Sequence, residues 1–245
     1  SRACSCRISN FFPRTCRTHQ GSPHESGKRL VMRTYLFFWD VKNSKVFSAF
    51  SRMATGHFFL KFNKSVTFYK LLGTGKGETF IPRDANKNRW GLLVVTDADI
   101  NSLRVIKSWR KIARKERYFE LSAISALGIW AKKQPFEISE LRNPISNIAV
   151  ITRAKIRFKL SRLFWKSVPP VVVDLKSAPG LIWAIGIGES PFALQGTFSI
   201  WENEKCVKDF AYKGQAHTKV IKQTRDLNWY SEELFARFEV LAKAE

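Results

Sequence analysis

Apolar residues change between strand-like and helix-like spacing from residue 32 onward, and this alternation predicts a mixed α+β fold. The first half of the chain follows the order β-α-β-β-α-β, with elements predicted at 34–41, 44–61, 65–75, 89–97, 98–116 and 117–130. In the first helical segment, the apolar residues at helical spacing are Val46, Phe47, Phe50, Met53, Ala54 and Phe58. This order is that of a ferredoxin-like unit.

The same order of elements recurs in the second half of the chain. The predicted elements are a strand at 148–158, a short helix at 159–168 that stops at Pro169 and Pro170, strands at 180–190 and 195–202, a long helix at 203–226 and a strand at 231–244. We therefore predict two ferredoxin-like units, at residues 32–140 and 147–245. Two such units can place their sheets face to face, so this chain should form by itself the dimeric-type α/β barrel that smaller proteins form by dimerisation. Strands that are apolar on both faces fit this fold, because both faces of each sheet would be covered.

Two glycine-containing fragments mark equivalent positions in the two units. GKGE at 75–78 in the first unit corresponds to GIGE at 186–189 in the second. A phosphate-binding loop needs its glycines to lead into a helix N-terminus, whereas both fragments lead into a loop and another strand. We predict that these glycines mark strand ends or bulges, where the backbone turns or approaches a ligand, and not a nucleotide site.

Residues 1–31 differ in composition from the rest of the chain. They are rich in Arg, Ser and Cys, nearly free of acidic residues and without periodicity. We expect a disordered or non-native extension, or sequence upstream of a natural start at Met32. An Arg-rich, acid-poor targeting peptide is the alternative.

The net charge of +22 at pH 7 favours anionic partners, among them an anionic membrane surface. The basic residues are spread along the chain and no nucleic-acid recognition motif is present, so we do not expect a nucleic-acid partner. No apolar run is long enough to span a bilayer, and no secretory signal opens the chain. We expect a cytoplasmic protein, with peripheral contact to a membrane as an option.

His217 is the main candidate for a functional residue. Of the four histidines, only His57 and His217 lie outside residues 1–31. On the predicted helix 203–226, one face at helical spacing carries Val207, Phe210, Gly214, His217, Ile221 and Thr224. Gly214 lies one turn before the imidazole and could leave room for a flat ligand. The structural alternative is a buried core histidine with one satisfied hydrogen bond. His57 is expected to be a packing or helix-end residue.

Charged residues in the second unit offer fewer candidates. Arg153 and Arg157 lie on the predicted strand 148–158 and on one face of it, so they could meet carboxylates of a ligand. The alternative for both is a solvated basic edge. Glu232, Glu233 and Arg237 are expected to form ordinary surface pairs.

Four fragments resemble a known family: FYKLLGTGKGETF, ITRAKIR with LFWKSVP, IGIGESPFALQGTFSIW, and AH with DLNWYSEELFARFEVL. In this order, from about residue 35 to 241, they are similar to the spheroidene monooxygenase family of acyclic carotenoid ketolases. The resemblance implies an oxygenase that adds a keto oxygen to acyclic carotenoids. It also implies the use of O2 and a reduced electron carrier, and an association with heme.

A second, local resemblance concerns TFSIWENEKCVKDFAYKGQAH. This segment is similar to the strand and helix of small heme-binding monooxygenases of the dimeric α/β-barrel type. The resemblance implies that His217 is the ligand of the heme iron. Arg153 or Arg157 would then pair with the heme propionates, as arginine does with carboxylates.

The resulting hypothesis is a single-chain, heme-dependent monooxygenase. It would use a reduced ferredoxin or similar donor and would act on a lipophilic substrate such as a carotenoid. The apolar barrel interior would hold this substrate, lined in part by Phe198, Ile200, Trp201 and Phe210. Two alternatives remain: a non-catalytic barrel that binds heme or a hydrophobic ligand, and a heme-degrading monooxygenase.

Overall fold

A computed structural model describes most of the chain from Met32 onward. The described residues are 32–76, 84–140, 143, 145–189, 195–213 and 230–244. They belong to one compact unit, Val31–Glu245. The expectations for residues 1–31 lie outside the described residues.

Eight strands and four α-helices follow one another in the described chain. They are β1 Arg33–Val41, α1 Val46–Lys61, β2 Val66–Gly75, β3 Ala85–Thr96, α2 Arg104–Arg110, β4 Ala113–Gly128, β5 Ile148–Ile156, α3 Ser161–Lys176, β6 Leu181–Gly188, β7 Gly196–Trp201, α4 Glu204–Lys213 and β8 Tyr230–Ala244. Short 3-10 turns precede α1, α2 and α3, at Asn43–Lys45, Ile100–Ser102 and Phe158–Leu160.

The eight strands close into one antiparallel barrel in the order β1-β3-β2-β6-β7-β5-β8-β4. β1–β4 form the first half of the barrel and β5–β8 the second half. The two halves meet at two unequal seams. The β4–β8 seam is long, whereas the β2–β6 seam within the described residues pairs Gly73 with Gly188 and Thr74 with Ile187. This topology confirms the predicted fold class.

One glycine of each related fragment ends a strand, as predicted: Gly75 is the last residue of β2 and Gly188 the last of β6, whereas Gly186 lies within β6 and Gly77 lies outside the described residues. The register between β2 and β3 shifts between Gly73 and Gly75, which is a bulge, and Gly188 is the last residue of β6. The short seam between the halves is therefore built on glycine-containing strand ends.

The core has three layers. Side chains from both halves fill the barrel interior: Leu36, Phe38, Phe68, Leu72, Leu93, Val95, Phe119, Leu121, Ala123, Ala149, Ile151, Ile185, Ile187, Phe198, Ile200, Leu234, Ala236 and Phe238. The outer face of the first half packs against α1 and α2, through Tyr35, Phe37, Trp39, Leu71, Trp90, Leu92, Val94, Val105, Ile106 and Trp109. The outer face of the second half packs against α3 and α4, through Ile148, Val150, Val172, Leu175, Trp201 and Val207.

Helix α1 buries two small residues and a leucine against the sheet, and of its phenylalanines Phe50 packs against Trp90 with ring centroids 4.8 Å apart. The buried residues of α1 are Ala49, Gly56 and Leu60. A Cβ at Gly56 would come within 3.1 Å of Leu71 Cδ1, so the glycine lets the helix lie close to β2. Phe47 and Phe58, which belong to the apolar spacing that predicted the helix, point to solvent.

The helix predicted at 98–116 is shorter in the structure. The Asp99 side chain accepts a hydrogen bond from the backbone N–H of Asn101 and opens a 3-10 turn, and α2 then spans only Arg104–Arg110. The prediction that Ala113 belongs to this helix is wrong, because Ala113 begins β4 and pairs with Val41.

Helix α3 continues through Pro169 and Pro170, so the prediction that it stops there is wrong. Proline inside a helix costs about 3 kcal/mol, since it removes a backbone hydrogen bond. The residues after the prolines offset this cost by burial: Val172 and Leu175 are 4% and 6% exposed against the outer face of the second half. Tertiary packing thus outweighs the low helix propensity of the two prolines.

Candidate functional site

The four pocket residues predicted from the sequence lie on two sides of one sheet. Successive side chains of a strand point to opposite faces, so Phe198 and Ile200 point into the barrel and Trp201 points outward. Phe210 of α4 covers Trp201, with ring centroids 5.3 Å apart. The expectation that all four line the barrel interior is wrong for Trp201 and Phe210.

His217 and Gly214 lie in the connection between α4 and β8, outside the described residues. Their roles as iron ligand and neighbouring small residue stay predictions. The remainder of the long helix predicted at 203–226 lies in the same connection, and its described part is α4. His57 is exposed on α1, with its ring 5.7 Å from that of Tyr69.

The barrel interior is filled by side chains. Phe119 packs against Phe198 at 5.2 Å and against Trp183 at 5.8 Å, and Phe38 packs against Trp183 at 5.4 Å. The guanidinium carbon of Arg117 lies 4.5 Å from the Trp183 ring centroid. In the described part of the chain, the interior space beside Arg153 has a volume of about 10 Å³, the size of one water molecule. The described interior side chains therefore leave no space for a long lipophilic substrate beside Arg153, and the interior site as a whole stays a prediction.

Arg153 points into this filled interior and is engaged by two carboxylates. It follows Ala149 and Ile151 on the inward face of β5, and its side chain is only 7% exposed. Nη2 donates to Glu189 at 2.7 Å, and Nη1 donates to Glu232. The expected surface pairing of Glu232 is therefore wrong, since its partner is a buried arginine.

An aromatic ring and an unpaired nitrogen complete the surroundings of Arg153. The guanidinium carbon lies 5.6 Å from the ring centroid of Trp130. Nε is buried and has no hydrogen-bond partner in the described part of the chain. The side chain is thus held by two carboxylates and one ring, while one of its donors stays unpaired.

Glu189 links the two halves of the barrel. Lys70 on β2 approaches it at 2.5 Å, and the indole nitrogen of Trp130 donates to it at 2.8 Å. Burial acts to raise the pKa of Glu189, but the bonds from Lys70 and Trp130 and the charge of Arg153 outweigh it, so the pKa lies below its ordinary value. Glu189 thus stays ionised beside the short β2–β6 seam.

Glu232 is held by a turn whose backbone has the left-handed helical conformation. Ala131 and Lys132 have φ angles of 54° and 62°, and their backbone N–H groups donate to Glu232 at 3.0 and 2.8 Å. Burial acts to raise the pKa of Glu232, and these two bonds together with Arg153 lower it below its ordinary value. The charges of Arg153, Glu189, Glu232 and Lys70 are therefore paired with one another, and Arg153 Nε is the donor left without a partner among the described residues of this cluster.

Arg157 does not share the environment of Arg153. β5 ends at Ile156, and its register with β8 shifts between Lys155 and Ile156. Arg157 follows the strand, is exposed, and forms no ion pair within the described part of the chain. The prediction that the two arginines share one strand face is wrong.

The outer layer of the second half is apolar and is partly covered by α4. Trp201 is 2% exposed and satisfies its indole nitrogen by donating to Ser199 Oγ at 2.9 Å. Arg237 ties this face to the helix, because it donates to Glu204 of α4 at 2.8 Å and to Ser125 of β4 at 2.9 Å.

Part of this site could not be found from the sequence. The repeated fragment GIGE contains Glu189, but nothing marked Trp130, Lys70 or Glu232 as its neighbours, because the contacts join distant strands. The described residues contain no group of three His, Cys, Asp or Glu side chains placed to hold a metal ion. Nor is any helix among them long and apolar enough to cross a membrane.

The chain is similar in sequence to curated relatives over most of its length. It is 34% identical over 184 residues to spheroidene monooxygenase of Rhodobacter capsulatus, a match that covers 72% of this chain and 76% of the relative. It is 34% identical over 181 residues to spheroidene monooxygenase of Cereibacter sphaeroides. This match covers 71% of this chain and 56% of the relative. The chain thus spans little more than half the length of the Cereibacter relative. No protein-family model matches the chain.

A solved structure shares the fold at low identity, and a second one is more weakly similar. Aldoxime dehydratase OxdRE in complex with butyraldoxime has a TM-score of 0.51 and 12% identity, and the match covers 87% of this chain and 81% of that one. A proposed monooxygenase of Fusobacterium nucleatum has a TM-score of 0.38 and 14% identity, with coverage of 88% and 94%. At such identity these similarities concern the fold alone.

Proposed function

Because the chain belongs to the spheroidene monooxygenase family, we propose that it is a monooxygenase that transfers oxygen from O2 to an acyclic carotenoid or a similar lipophilic substrate. The observation that carries this proposal is the 34% identity to a spheroidene monooxygenase over 76% of that relative's length. The matched part of the chain is long enough to include most of the barrel.

We further propose that heme binds at the outer face of the second half, beside α4. Three features support this position: the buried Trp201, the Phe210 ring that covers it, and the place of His217 seven residues after Phe210 in the sequence. When bound, heme would supply the activation of O2. The chain's own residues would hold it, with His217 as iron ligand and with Trp201 and Phe210 as walls that exclude water.

The two arginines differ in how readily they could meet heme propionates. Arg153 lies on the opposite side of the sheet from Trp201, and a propionate would have to replace Glu189 or Glu232 at its guanidinium. Arg157 is exposed at the end of β5 and is the more available of the two. Both assignments stay predictions, and exchange of Arg157 is the more informative variant.

Electron supply and location complete the proposal. The reaction needs a reduced donor, for which a ferredoxin or a similar carrier is the natural candidate. A carotenoid resides in the bilayer, and a chain with a net charge of +22 is attracted to anionic lipid. We therefore expect a cytoplasmic protein that works at a membrane surface.

The test is oxygen incorporation by the protein reconstituted with hemin. An acyclic carotenoid is supplied with reduced ferredoxin and isotope-labelled O2, and products are identified by mass spectrometry. The proposal predicts a keto product that carries the label. Heme bound without any product would instead favour a carrier, and biliverdin-like products with loss of the heme absorption band would favour heme degradation.

A further inference from the structure

The solvent side of α1 carries a row of exposed phenylalanines. Phe47, Phe58 and Phe62 are 86%, 65% and 67% exposed. Their spacing along the helix places them on the side opposite the buried residues Ala49 and Gly56. Large apolar side chains grouped on one face of a helix indicate an interaction surface, whereas single exposed ones need no explanation. We call Phe47, Phe58 and Phe62 the α1 phenylalanine face.

The rings at the C-terminal end of α1 form one continuous apolar surface. The Phe58 ring lies 5.0 Å from that of Phe62 and 6.0 Å from that of Phe59. A groove of about 480 Å³ runs from these rings to the start of α2, where Lys64 and Arg104 line it. The groove is open to solvent, and its mixed lining of rings and cationic groups is suited to an amphipathic partner.

The chain segment that carries the α1 phenylalanine face has charges of one sign. No acidic residue occurs between Asp40 and Glu78 in the sequence. Lys61, Lys64 and Arg104 are exposed, and none of them forms an ion pair within the described part of the chain. The Lys61 ammonium lies 5.8 Å from the Phe62 ring centroid, so cationic and apolar groups are interleaved.

We propose that the α1 phenylalanine face docks on an anionic lipid bilayer. An anionic bilayer has a layer of charged headgroups over a layer of acyl chains. The protruding rings can insert among the acyl chains, and the unpaired lysines beside them can contact the phosphate or carboxylate groups. A second copy of this chain would bring the same cationic groups together and is disfavoured. The inference extends the proposed peripheral location but rests on this surface and not on the heme chemistry.

The experiment measures vesicle binding in the absence of substrate. Wild-type protein is sedimented with phosphatidylcholine vesicles and with vesicles that also contain phosphatidylglycerol. The triple variant Phe47→Ser, Phe58→Ser, Phe62→Ser removes the rings. The double variant Lys61→Glu, Lys64→Glu reverses the neighbouring charge. We expect wild-type protein to bind the anionic vesicles, and each variant to lower the partition coefficient by about tenfold or more.

Matched controls change equally exposed residues elsewhere. Leu127, Ile145 and Val173 are 72%, 89% and 67% exposed, so a triple variant to serine removes similar apolar area away from α1. Lys133→Glu with Lys159→Glu matches the change in net charge. Both controls should bind vesicles as wild type does. Circular dichroism and the midpoint of thermal unfolding verify that each variant is folded.

Three results would overturn the inference. If wild-type protein does not bind anionic vesicles, the proposed docking on a bilayer is contradicted directly. Vesicle binding that survives loss of the three phenylalanines would show that diffuse charge suffices. A dimer in light scattering that dissociates in the triple phenylalanine variant, with vesicle binding unchanged, would identify the face as a contact between copies. Activity on detergent-dispersed carotenoid reports separately on the proposed function, so failure of one does not imply failure of the other.

Discussion

At the scale of single residues, Arg153 is a buried charged group that two carboxylates hold in place. Its side chain is 7% exposed, and its two carboxylate partners come from the start of β8 and from the end of β6. A buried pair of this kind is costly to break, because removing one partner leaves uncompensated charge in a poorly solvated place. The cluster therefore contributes to stability through the joining of three strands.

Exchange of Arg153 for Met should lower the free energy of unfolding at neutral pH by about 3 kcal/mol or more. The matched control is Arg89→Met, which breaks a more exposed pair with Asp40 whose side chains are 29% and 22% exposed. That control should cost about 1 kcal/mol or less. Denaturant unfolding measures both, and equal effects of the two exchanges would contradict the role given to Arg153.

The pH dependence of this difference has a defined sign. The pKa values of Glu189 and Glu232 are lowered in the folded protein, so their stabilisation is present above the ordinary glutamate range. It is lost as the pH falls through the lowered folded-state values. The gap in stability between wild type and Arg153→Met should therefore shrink on acidification, and a gap that widens would be inconsistent with ionised carboxylates.

At the scale of elements, α1 illustrates what apolar spacing can and cannot predict. The existence of the helix followed from the sequence, and its bounds are nearly those predicted. The buried face of the helix did not follow from the sequence. Ala49 and Gly56 pack closely on the sheet, whereas Phe47 and Phe58 are exposed to solvent. Hydrophobicity alone does not distinguish a side chain that packs on the sheet from one that meets an external partner. For α3, likewise, the two prolines predicted that the helix ends at residue 168. The helix instead continues, because burial of Val172 and Leu175 offsets the cost of the prolines.

Exchange of Gly56 for Val tests the close approach of α1 to β2. The new side chain would start 3.1 Å from Leu71 Cδ1 and 3.5 Å from Val105 Cγ2, so either these side chains or the helix would have to shift. We expect a loss of about 2 kcal/mol in unfolding free energy. Ala54→Val on the exposed side of the same helix is the control and should change stability by about 0.5 kcal/mol or less. A neutral Gly56→Val would show that the contact is not tight.

At the scale of the whole molecule, the internal repeat was sufficient to predict a single-chain barrel, since the order of elements recurs and the strands are apolar on both faces. The filled interior could not be predicted in this way. Strands that line an empty barrel and strands that line a packed one have the same alternation, and only the sizes and directions of side chains such as Phe38, Trp183 and Phe198 decide between them. We therefore propose the ligand site on the outer face of the second half, where Trp201 and Phe210 lie.

We propose that this outer face holds heme through His217, and the visible absorption spectrum during a hemin titration is the measurement that tests this proposal. Wild-type protein and His217→Ala are compared, with His57→Ala as the control because His57 is an exposed histidine on α1. We predict a saturable Soret band for wild type and for His57→Ala that shifts on reduction and on addition of CO. His217→Ala should lose the band or give a different one, with weaker hemin affinity. An identical titration for wild type and His217→Ala, or no hemin binding by wild type, would contradict the account.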